Sequence, residues 1–159
     1  MSTMSDGIQG VIVHLLEPHE DPRGWLVEIF RSDEWPADLA PQMAYVSMTR
    51  PGVGRGPHEH RSQTDTFCFT GPGTFEVRLW DNRPASASYG RRMVLRAGTE
   101  APAVVVIPPG VVHGYRNVDG VDAFVVNLPN RLYRGQGSRE PVDEIRHEDD
   151  PSSPFRLSD

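Results

Sequence analysis

The chain has 159 residues, of which 37% are hydrophobic and 24% charged, as is usual for a globular protein. Its net charge of -6 argues against nucleic acid or an anionic membrane as a partner. This length predicts a single domain over residues 1–159 with a core of its own. All 16 basic residues are arginine, which excludes Schiff-base chemistry and a lysine base but still allows bidentate recognition of phosphate.

Short apolar stretches bounded by Gly and Pro run through most of the chain. They are rich in Val, Ile, Phe and Thr, and this pattern is typical of an all-β sandwich or barrel. In chain order, strands are predicted at 10–16, 24–30, 43–49, 66–70, 74–80, 92–97, 103–108, 111–115 and 122–128. Helix is scarce, and only residues 32–39 are expected to form a helical turn, capped by Ser32 or Asp33.

Two stretches indicate where their strands lie in the fold. Within residues 74–80, Phe75, Val77 and Leu79 alternate with polar or amphipathic residues, as in a half-buried antiparallel strand. Residues 103–107 are apolar throughout, which predicts a central strand. From Arg134 onward the chain becomes polar and acidic, and residues 134–159 are predicted to form a covering arm rather than a second domain.

Cysteine usage and the chain start bear on the compartment. The single cysteine, Cys68, excludes an intrachain disulfide and lies in an apolar run that predicts its burial. The opening MSTMSDG lacks the basic and apolar regions of a signal peptide, and no apolar run is long enough for a membrane span. A cytoplasmic protein is therefore expected.

Three histidines and an aspartate form the main chemical signal. In RGPHEHRSQTD (55–65), His58 and His60 are separated by one residue, so on a strand they point to the same face. Asp65 follows five residues after His60. In IPPGVVHGYRN (107–117), His113 comes just after a Pro-Pro-Gly turn. Three imidazoles and a carboxylate suit Zn, Fe, Mn or Ni.

The two histidine segments resemble the signature motifs of the cupin superfamily. Residues 108–117 match the pattern P-x-G-x2-H-x3-N at each specified position, whereas the first motif has Asp65 where glutamate is usual. The resemblance implies a cupin jelly-roll barrel, also called a double-stranded β-helix. In such a barrel the two motifs face each other, so the four residues His58, His60, Asp65 and His113 are expected to converge.

Four segments narrow the resemblance further. DPRGWLVEIF (21–30), RGPH (55–58), IPPGVVHGY (107–115) and DDP (149–151) are similar, in this order, to the dTDP-4-dehydrorhamnose 3,5-epimerase family, which are metal-independent cupins. The resemblance implies an isomerase, commonly a homodimer and with no required cofactor. Its substrate would be a dTDP-linked 4-keto-6-deoxyhexose that loses and regains a proton at C3, C5 or both. The aspartate of the family's catalytic pair would fall on Asp159.

The resemblance also assigns roles to residues of this chain. His58 corresponds to the family's catalytic base, and Arg23 and Arg55 correspond to arginines that hold the nucleotide phosphates. His113 corresponds to the histidine of the P-x-G-x-x-H-G motif. His60 and His113 would orient His58 or polarise the C4 carbonyl.

Two functional residues of the family are replaced in this chain. The lysine that stabilises the enolate oxygen aligns with Asp65, and a catalytic tyrosine aligns with Asn127, which is left as a candidate substrate contact. Tyr133 matches a second family tyrosine and is a candidate catalytic residue. Tyr45 and Tyr115 are candidates for contacting the substrate. Tyr45 stands where the family has a glutamine on the nucleotide-base side.

Several alternatives remain open at this point. A divalent transition metal on His58, His60, Asp65 and His113 could replace the lysine as electrophile, but His58 would then be a ligand, and the base would have to be Tyr115 or Tyr133. The pair His58 and His60 also resembles the proton-shuttling histidines of nucleotide-sugar 3,4-ketoisomerases, although that family lacks the PxGxxH element. The remaining alternatives are a metal-dependent cupin unrelated to sugars and a non-catalytic ligand-binding cupin.

Overall fold

The computed structural model describes residues 7–158, and these contain twelve β-strands, two short 3₁₀ turns and no α-helix. The turns are Ala37–Leu39 and Gln136–Ser138. The strands are β1 (Ile12–Leu15), β2 (His19–Asp21), β3 (Gly24–Leu26), β4 (Tyr45–Thr49), β5 (Gly54–Glu59), β6 (Asp65–Phe69), β7 (Thr74–Asp81), β8 (Arg92–Gly98), β9 (Ala103–Ile107), β10 (Val111–Asn117), β11 (Ala123–Asn127) and β12 (Ile145–Arg146).

Ten of these strands form two five-stranded antiparallel sheets. The first sheet has the order β1-β9-β6-β11-β4 and the second has the order β12-β5-β10-β7-β8. Side chains from both sheets meet in one apolar core, which includes Phe69, Phe75, Leu79, Val105 and Tyr115. The predicted all-β jelly-roll is confirmed.

The two strands with the clearest sequence patterns lie as predicted. On β7, Phe75, Val77 and Leu79 are buried in the core, so the alternation of the sequence is the alternation of the strand's faces. Strand β9 is buried throughout and lies between β1 and β6 inside the first sheet. A strand covered on both faces has no polar face to present, which explains its uninterrupted apolar sequence.

Residues 24–30 are only partly a strand, contrary to the prediction. The strand ends at Leu26, and β2 and β3 form a separate two-stranded hairpin. Val27, Ile29 and Phe30 instead pack, like Trp35 and Leu39, against a buried cluster of Leu16, Cys68, Val104, Val106 and Leu128. The segment is therefore held by side-chain packing rather than by strand pairing beyond Leu26.

The expected helical turn begins later than the sequence suggested. Its N-cap is Pro36, and no side chain makes a capping hydrogen bond, so the prediction of a Ser32 or Asp33 cap was wrong. The turn instead begins at the residue after Pro36, which lies outside the reach of either side chain.

The C-terminal arm lies against the second sheet. Strand β12 pairs with β5, with Ile145 opposite Glu59 and Arg146 opposite His58. This pairing brings β12 and the residues just before it alongside His58 and His60. Between residues 7 and 158, no helix has the length and apolarity needed to cross a membrane.

Candidate active site

Three imidazoles and one carboxylate lie together where the two sheets face each other. His58 is on β5, His60 follows that strand directly, Asp65 begins β6 and His113 is on β10. One nitrogen or oxygen of each side chain lies within 4.8 Å of those of the other three. The structure therefore brings together the four residues that the two motifs single out.

Glycines of the same motifs set the spacing of β5 and β10 beside the histidines. His113 pairs across the strands with His58, and their ring centroids are 4.5 Å apart. A Cβ on Gly56 would lie 2.8 Å from the carbonyl oxygen of His113, and Gly56 also has a φ of +80°, which side chains rarely adopt. A Cβ on Gly114 would lie 2.8 Å from the carbonyl oxygen of Arg55. The backbones can approach this closely only because both positions are glycine.

Asp65 is the centre of the cluster. Its Oδ2 lies 3.0 Å from His60 Nε2 and 3.1 Å from His113 Nε2. Its Oδ1 accepts hydrogen bonds from Gln63 Nε2 at 2.8 Å and Asn127 Nδ2 at 3.0 Å. Burial alone would raise the pKa of Asp65, but its interactions with His113 and His60 hold that pKa well below the usual range. Asp65 is therefore a buried carboxylate anion.

Backbone carbonyls determine which nitrogen of His60 and of His113 carries hydrogen. His113 Nδ1 donates to the carbonyl of Val111 at 2.9 Å, and His60 Nδ1 donates to the carbonyl of Asp143. A carbonyl can only accept, so both Nδ1 atoms are protonated. In the neutral imidazoles, both Nε2 lone pairs then face one oxygen of Asp65. Either an additional proton or a shared cation must lie between these atoms, because lone pairs repel each other.

His58 differs from the other two histidines. Its Nδ1 lies 3.6 Å from Glu144 Oε1, and it has no such contact with Asp65. Burial, reinforced by the nearby imidazoles of His113 and His60, lowers the pKa of His58 to about 2. His58 is therefore a neutral imidazole, the form that can accept a proton from a substrate.

His58 and His60 line a cavity of about 570 Å³. This volume is in the range of clefts that bind small organic ligands. Most of the other lining residues of the cavity lie between residues 129 and 144. Among the polar side chains at its surface are Tyr45, Gln63, Arg131, Tyr133, Arg134, Asp143 and Glu144.

Asp143 ties this part of the lining to the histidine segment. Its carboxylate accepts hydrogen bonds from the backbone N–H groups of Arg61, Ser62 and Gln63, at 3.0, 2.9 and 2.9 Å. Its own carbonyl accepts from His60. No sequence pattern indicates Asp143 or Glu144, because both lie in an acidic segment that resembles a solvated arm and approach residues 58–63 only in the folded chain.

Tyr45 lines the cavity and is held by Asn127, which is fully buried and does not line it. They pair across β4 and β11 in the first sheet, and Asn127 Nδ2 donates to the hydroxyl oxygen of Tyr45 at 2.8 Å. Asn127 Oδ1 accepts from the backbone N–H of Thr66 at 3.1 Å. Burial raises the pKa of Tyr45 to about 12, so the hydroxyl stays protonated near neutral pH.

Several residues singled out in the sequence do not reach the cavity within the described chain. Arg23 lies at the turn of the β2–β3 hairpin, where it pairs with Asp21 and its side chain is 90% exposed. Arg55 bonds to Thr49 Oγ1 and to the carbonyl of Met48 on β4. Tyr115 is buried among core aromatic rings. Tyr133 does line the cavity, whereas Asp159 lies outside the described residues.

Comparison with known proteins places this chain in a family. The model of the dTDP-4-dehydrorhamnose 3,5-epimerase family matches residues 5–144. A probable low-salt glycan biosynthesis epimerase, Agl13 of Haloferax volcanii, is 35% identical over 127 residues, which cover 79% of this chain and 81% of the relative.

Two solved structures have the same fold. A dTDP sugar isomerase from Desulfovibrio desulfuricans superposes with a TM-score of 0.81 and 24% identity, over 94% of this chain and 91% of the other. NovW of Streptomyces spheroides, a 4-keto-6-deoxy sugar epimerase, superposes with a TM-score of 0.73 and 25% identity, over 88% of this chain and 70% of the other. The chain therefore belongs to the dTDP-4-dehydrorhamnose 3,5-epimerase family of cupin-fold isomerases.

Proposed function

We propose that this protein epimerises a dTDP-linked 4-keto-6-deoxyhexose at C3, C5 or both. The observation that carries the proposal is the position of His58, which lines a cavity of about 570 Å³, lies beside Glu144 and matches the family's base. The relationship to NovW, a 4-keto-6-deoxy sugar epimerase, supports this class of substrate.

The chemistry requires a base on one side of an acidic carbon. A C–H bond next to the C4 ketone is acidified by the carbonyl, and His58 would remove that proton as the electron pair moves onto the carbonyl oxygen. Glu144, at 3.6 Å from His58 Nδ1, would stabilise the imidazolium that results. Return of a proton from the opposite side inverts the carbon.

The ring of His60 is poorly suited to a proton shuttle, which favours epimerisation over the 3,4-ketoisomerase alternative. A shuttle between adjacent carbons would require both His58 and His60 to exchange protons with the substrate. His60 Nδ1 is bonded to the carbonyl of Asp143, and its Nε2 faces Asp65. Of the three histidines, only His58 has no ring nitrogen hydrogen-bonded to a backbone carbonyl of the described residues.

The negative charge that develops on the carbonyl oxygen needs an electrophile, because the chain contains no lysine. We propose that His60, Asp65 and His113 hold a divalent transition metal for this purpose. The separations of 3.0 and 3.1 Å from Asp65 Oδ2 to the two Nε2 atoms are hydrogen-bond lengths. They would widen by about 0.3–0.4 Å to reach the roughly 3.4 Å between ligands of a tetrahedral zinc ion. The carbonyls behind both Nδ1 atoms resemble the outer contacts that orient metal-binding histidines.

A three-residue site resolves the conflict between base and ligand. His58 was a fourth predicted ligand, but its Nδ1 is directed to Glu144, so it stays available as the base. Tyr115, one of the two substitute bases, is buried in the core and does not line the cavity. When bound, the metal would supply positive charge beside Asp65 at the histidine side of the cavity.

Elemental analysis and metal titration test this site without a substrate. We expect about one metal per chain, a loss of affinity of 10-fold or more in His60→Gln and His113→Gln, and retained metal in His58→Gln. Equal loss in all three variants would make His58 a ligand and remove it as the base. Absence of metal affinity in the wild-type protein would reject the site.

We propose that the nucleotide phosphates bind to arginines of the cavity lining. Arg131 and Arg134 line it, whereas Arg23 and Arg55 do not. We therefore propose that Arg131 and Arg134 contact the phosphates within a single chain, since guanidinium groups bind phosphate oxygens in pairs.

We further propose that the protein is a cytoplasmic homodimer. The β2–β3 hairpin leaves Trp25 and Leu26 more than half exposed, and edge strand β4 leaves Val46 63% exposed. Apolar surface of this kind marks contact sites between chains. Light scattering coupled to gel filtration would show twice the chain mass for a dimer, and cell fractionation would show the compartment.

Deuterium incorporation tests the reaction itself. The protein is incubated with dTDP-4-keto-6-deoxyglucose in D2O, and the mass of the sugar is followed over time. Two deuterium atoms indicate exchange at C3 and C5, and one indicates a single-site epimerase or a ketoisomerase, which product NMR separates. We expect His58→Gln to abolish exchange and His14→Gln, an exposed histidine outside this cavity, to leave it unchanged. No exchange with bound substrate would favour a non-catalytic binding protein.

A further inference from the structure

The replacement of the family's tyrosine by Asn127 leaves the proton donor of the reaction unassigned. An amide is far too weak an acid to return a proton to carbon, so another group must do so. This question arises only if the protein is an epimerase, and the inference below therefore rests on the proposed function.

We propose that Tyr45 is the proton donor and that Asn127 positions its hydroxyl. The carbon that His58 deprotonates would take its new proton from Tyr45, on the opposite side of the sugar ring. A new C–H bond forms, the carbonyl C=O is restored from the enolate, and the resulting phenolate regains a proton from water. The imidazolium of His58 loses its proton to water as well.

The hydrogen bonds of Asn127 determine which way the Tyr45 proton points. Asn127 Oδ1 accepts from the Thr66 N–H, so Nδ2 must face the other two partners. One Nδ2 hydrogen goes to Asp65 Oδ1 at 3.0 Å and the other to the Tyr45 oxygen at 2.8 Å. Tyr45 is thus the acceptor in this contact, and its own O–H is not used in it.

The free O–H points to the substrate space for two reasons. Tyr45 lines the same cavity as His58. Among the described residues, no group accepts a hydrogen bond from its hydroxyl, so a ligand in the cavity is the available acceptor.

Base and donor come from different sheets. Tyr45 is on β4 of the first sheet, and His58 is on β5 of the second sheet. A sugar held in the cavity between these walls would present one side to each residue. Inversion at carbon requires this arrangement, because removal and return from the same side restore the original configuration.

Tyr133 is the competing donor, since it also lines the cavity. It belongs to the segment of residues 129–144, and its side chain makes no hydrogen bond with any described residue. As a residue, Tyr133 is 58% exposed, compared with 44% for Tyr45. A proton donor acts best from a fixed position, which favours the tyrosine held by Asn127.

The test compares exchange with inversion in D2O. Tyr45→Phe removes only the hydroxyl, so His58 can still remove a proton and return deuterium to the same side. We expect substrate labelling to continue while epimerised product falls at least 100-fold, which raises the ratio of exchange to inversion. A variant that merely disturbed the pocket would lower both rates together and leave this ratio unchanged.

Two matched variants complete the experiment. Tyr89→Phe, at an exposed tyrosine of the loop before β8, should leave both rates unchanged. An unchanged ratio in Tyr45→Phe, or a raised ratio in Tyr133→Phe instead, would overturn the assignment while leaving the epimerase function intact. A wild-type protein that neither exchanges nor inverts would overturn the proposed function and this inference with it.

Discussion

The three backbone hydrogen bonds to Asp143 should control how firmly the cavity wall is held. Asp143→Ala removes the carboxylate that accepts from the N–H groups of Arg61, Ser62 and Gln63. A hydrogen bond to a charged group contributes about 1.5–3 kcal/mol, and partial exposure here reduces the sum, so we expect the arm to lose about 3 kcal/mol. This corresponds to roughly 100-fold easier local opening, since 1.4 kcal/mol is a factor of ten.

Hydrogen exchange measures this opening directly. The amides of His147 and Glu148 donate to the carbonyl of Pro57 at 2.9 and 3.0 Å, so a peptide spanning residues 144–149 reports whether the arm is docked. Asp149→Ala is the matched control in the same arm, because its ion pair with Arg146 is largely exposed and contributes less than about 1 kcal/mol. Exchange in Asp143→Ala within twofold of the wild-type rate would refute the anchoring role.

Two further predictions concern ligand affinity and stability. Substitution of Arg131 or of Arg134 by glutamine should each weaken dTDP binding about 10-fold, as measured by calorimetry. Arg139→Gln, in the same segment but outside the cavity, should not change the affinity. Equal affinities in all three variants and the wild-type protein would rule out Arg131 and Arg134 as phosphate contacts. Asp81→Asn should lower the free energy of unfolding by about 2–4 kcal/mol in urea, because this buried carboxylate accepts hydrogen bonds from one arginine and two serine side chains. Burial would raise the pKa of Asp81, but these hydrogen bonds hold that pKa below the usual range. The contribution of Asp81 to the free energy of unfolding is therefore present above the unfolded-state pKa and is lost as the pH falls through the folded-state pKa. Asp81→Asn should accordingly flatten the acid limb of the stability curve, and an unchanged limb would contradict the account.

The strands could be predicted where their evidence is local. The alternation on β7 and the apolar run of β9 each reflect the faces of one strand, which a window of a few residues contains. Residues 27–30 have a similar alternation, but Val27, Ile29 and Trp35 pack against buried residues of the first sheet without pairing to a strand. Whether an apolar segment pairs or only packs depends on a partner elsewhere in the chain, and no local pattern specifies that partner.

The same distinction divides the residues of the site. His58, His60, Asp65 and His113 belong to two compact motifs, so their convergence was predictable from spacing and resemblance. The Tyr45–Asn127 contact joins residues 82 positions apart, and the contact of Asp143 with Gln63 joins residues 80 apart. Tyr45 was predicted only as a substrate contact, because its orientation depends on a hydrogen bond that exists only after β4 and β11 pair.

The two departures from the family pattern are joined by a hydrogen bond. The sequence resemblance predicts that Asp65 takes the place of the family's lysine and Asn127 that of its tyrosine. In the structure, Asn127 Nδ2 donates to Asp65 Oδ1 at 3.0 Å. A lysine at position 65 would place an ammonium against the N–H donor of Asn127, with no acceptor between them. A tyrosine at position 127 would deprive Asp65 of this donor and the Thr66 N–H of its acceptor.

Restoring either family residue alone therefore breaks contacts on which its neighbour depends. The present pair has different needs, since the buried carboxylate requires positive charge beside it and the amide presents a hydroxyl to the cavity. These needs correspond to the two functions that the missing residues performed, stabilisation of the enolate and delivery of a proton. We therefore assign the first function to the metal proposed on His60, Asp65 and His113 and the second to Tyr45, with Asp65 and Asn127 linked through their hydrogen bond.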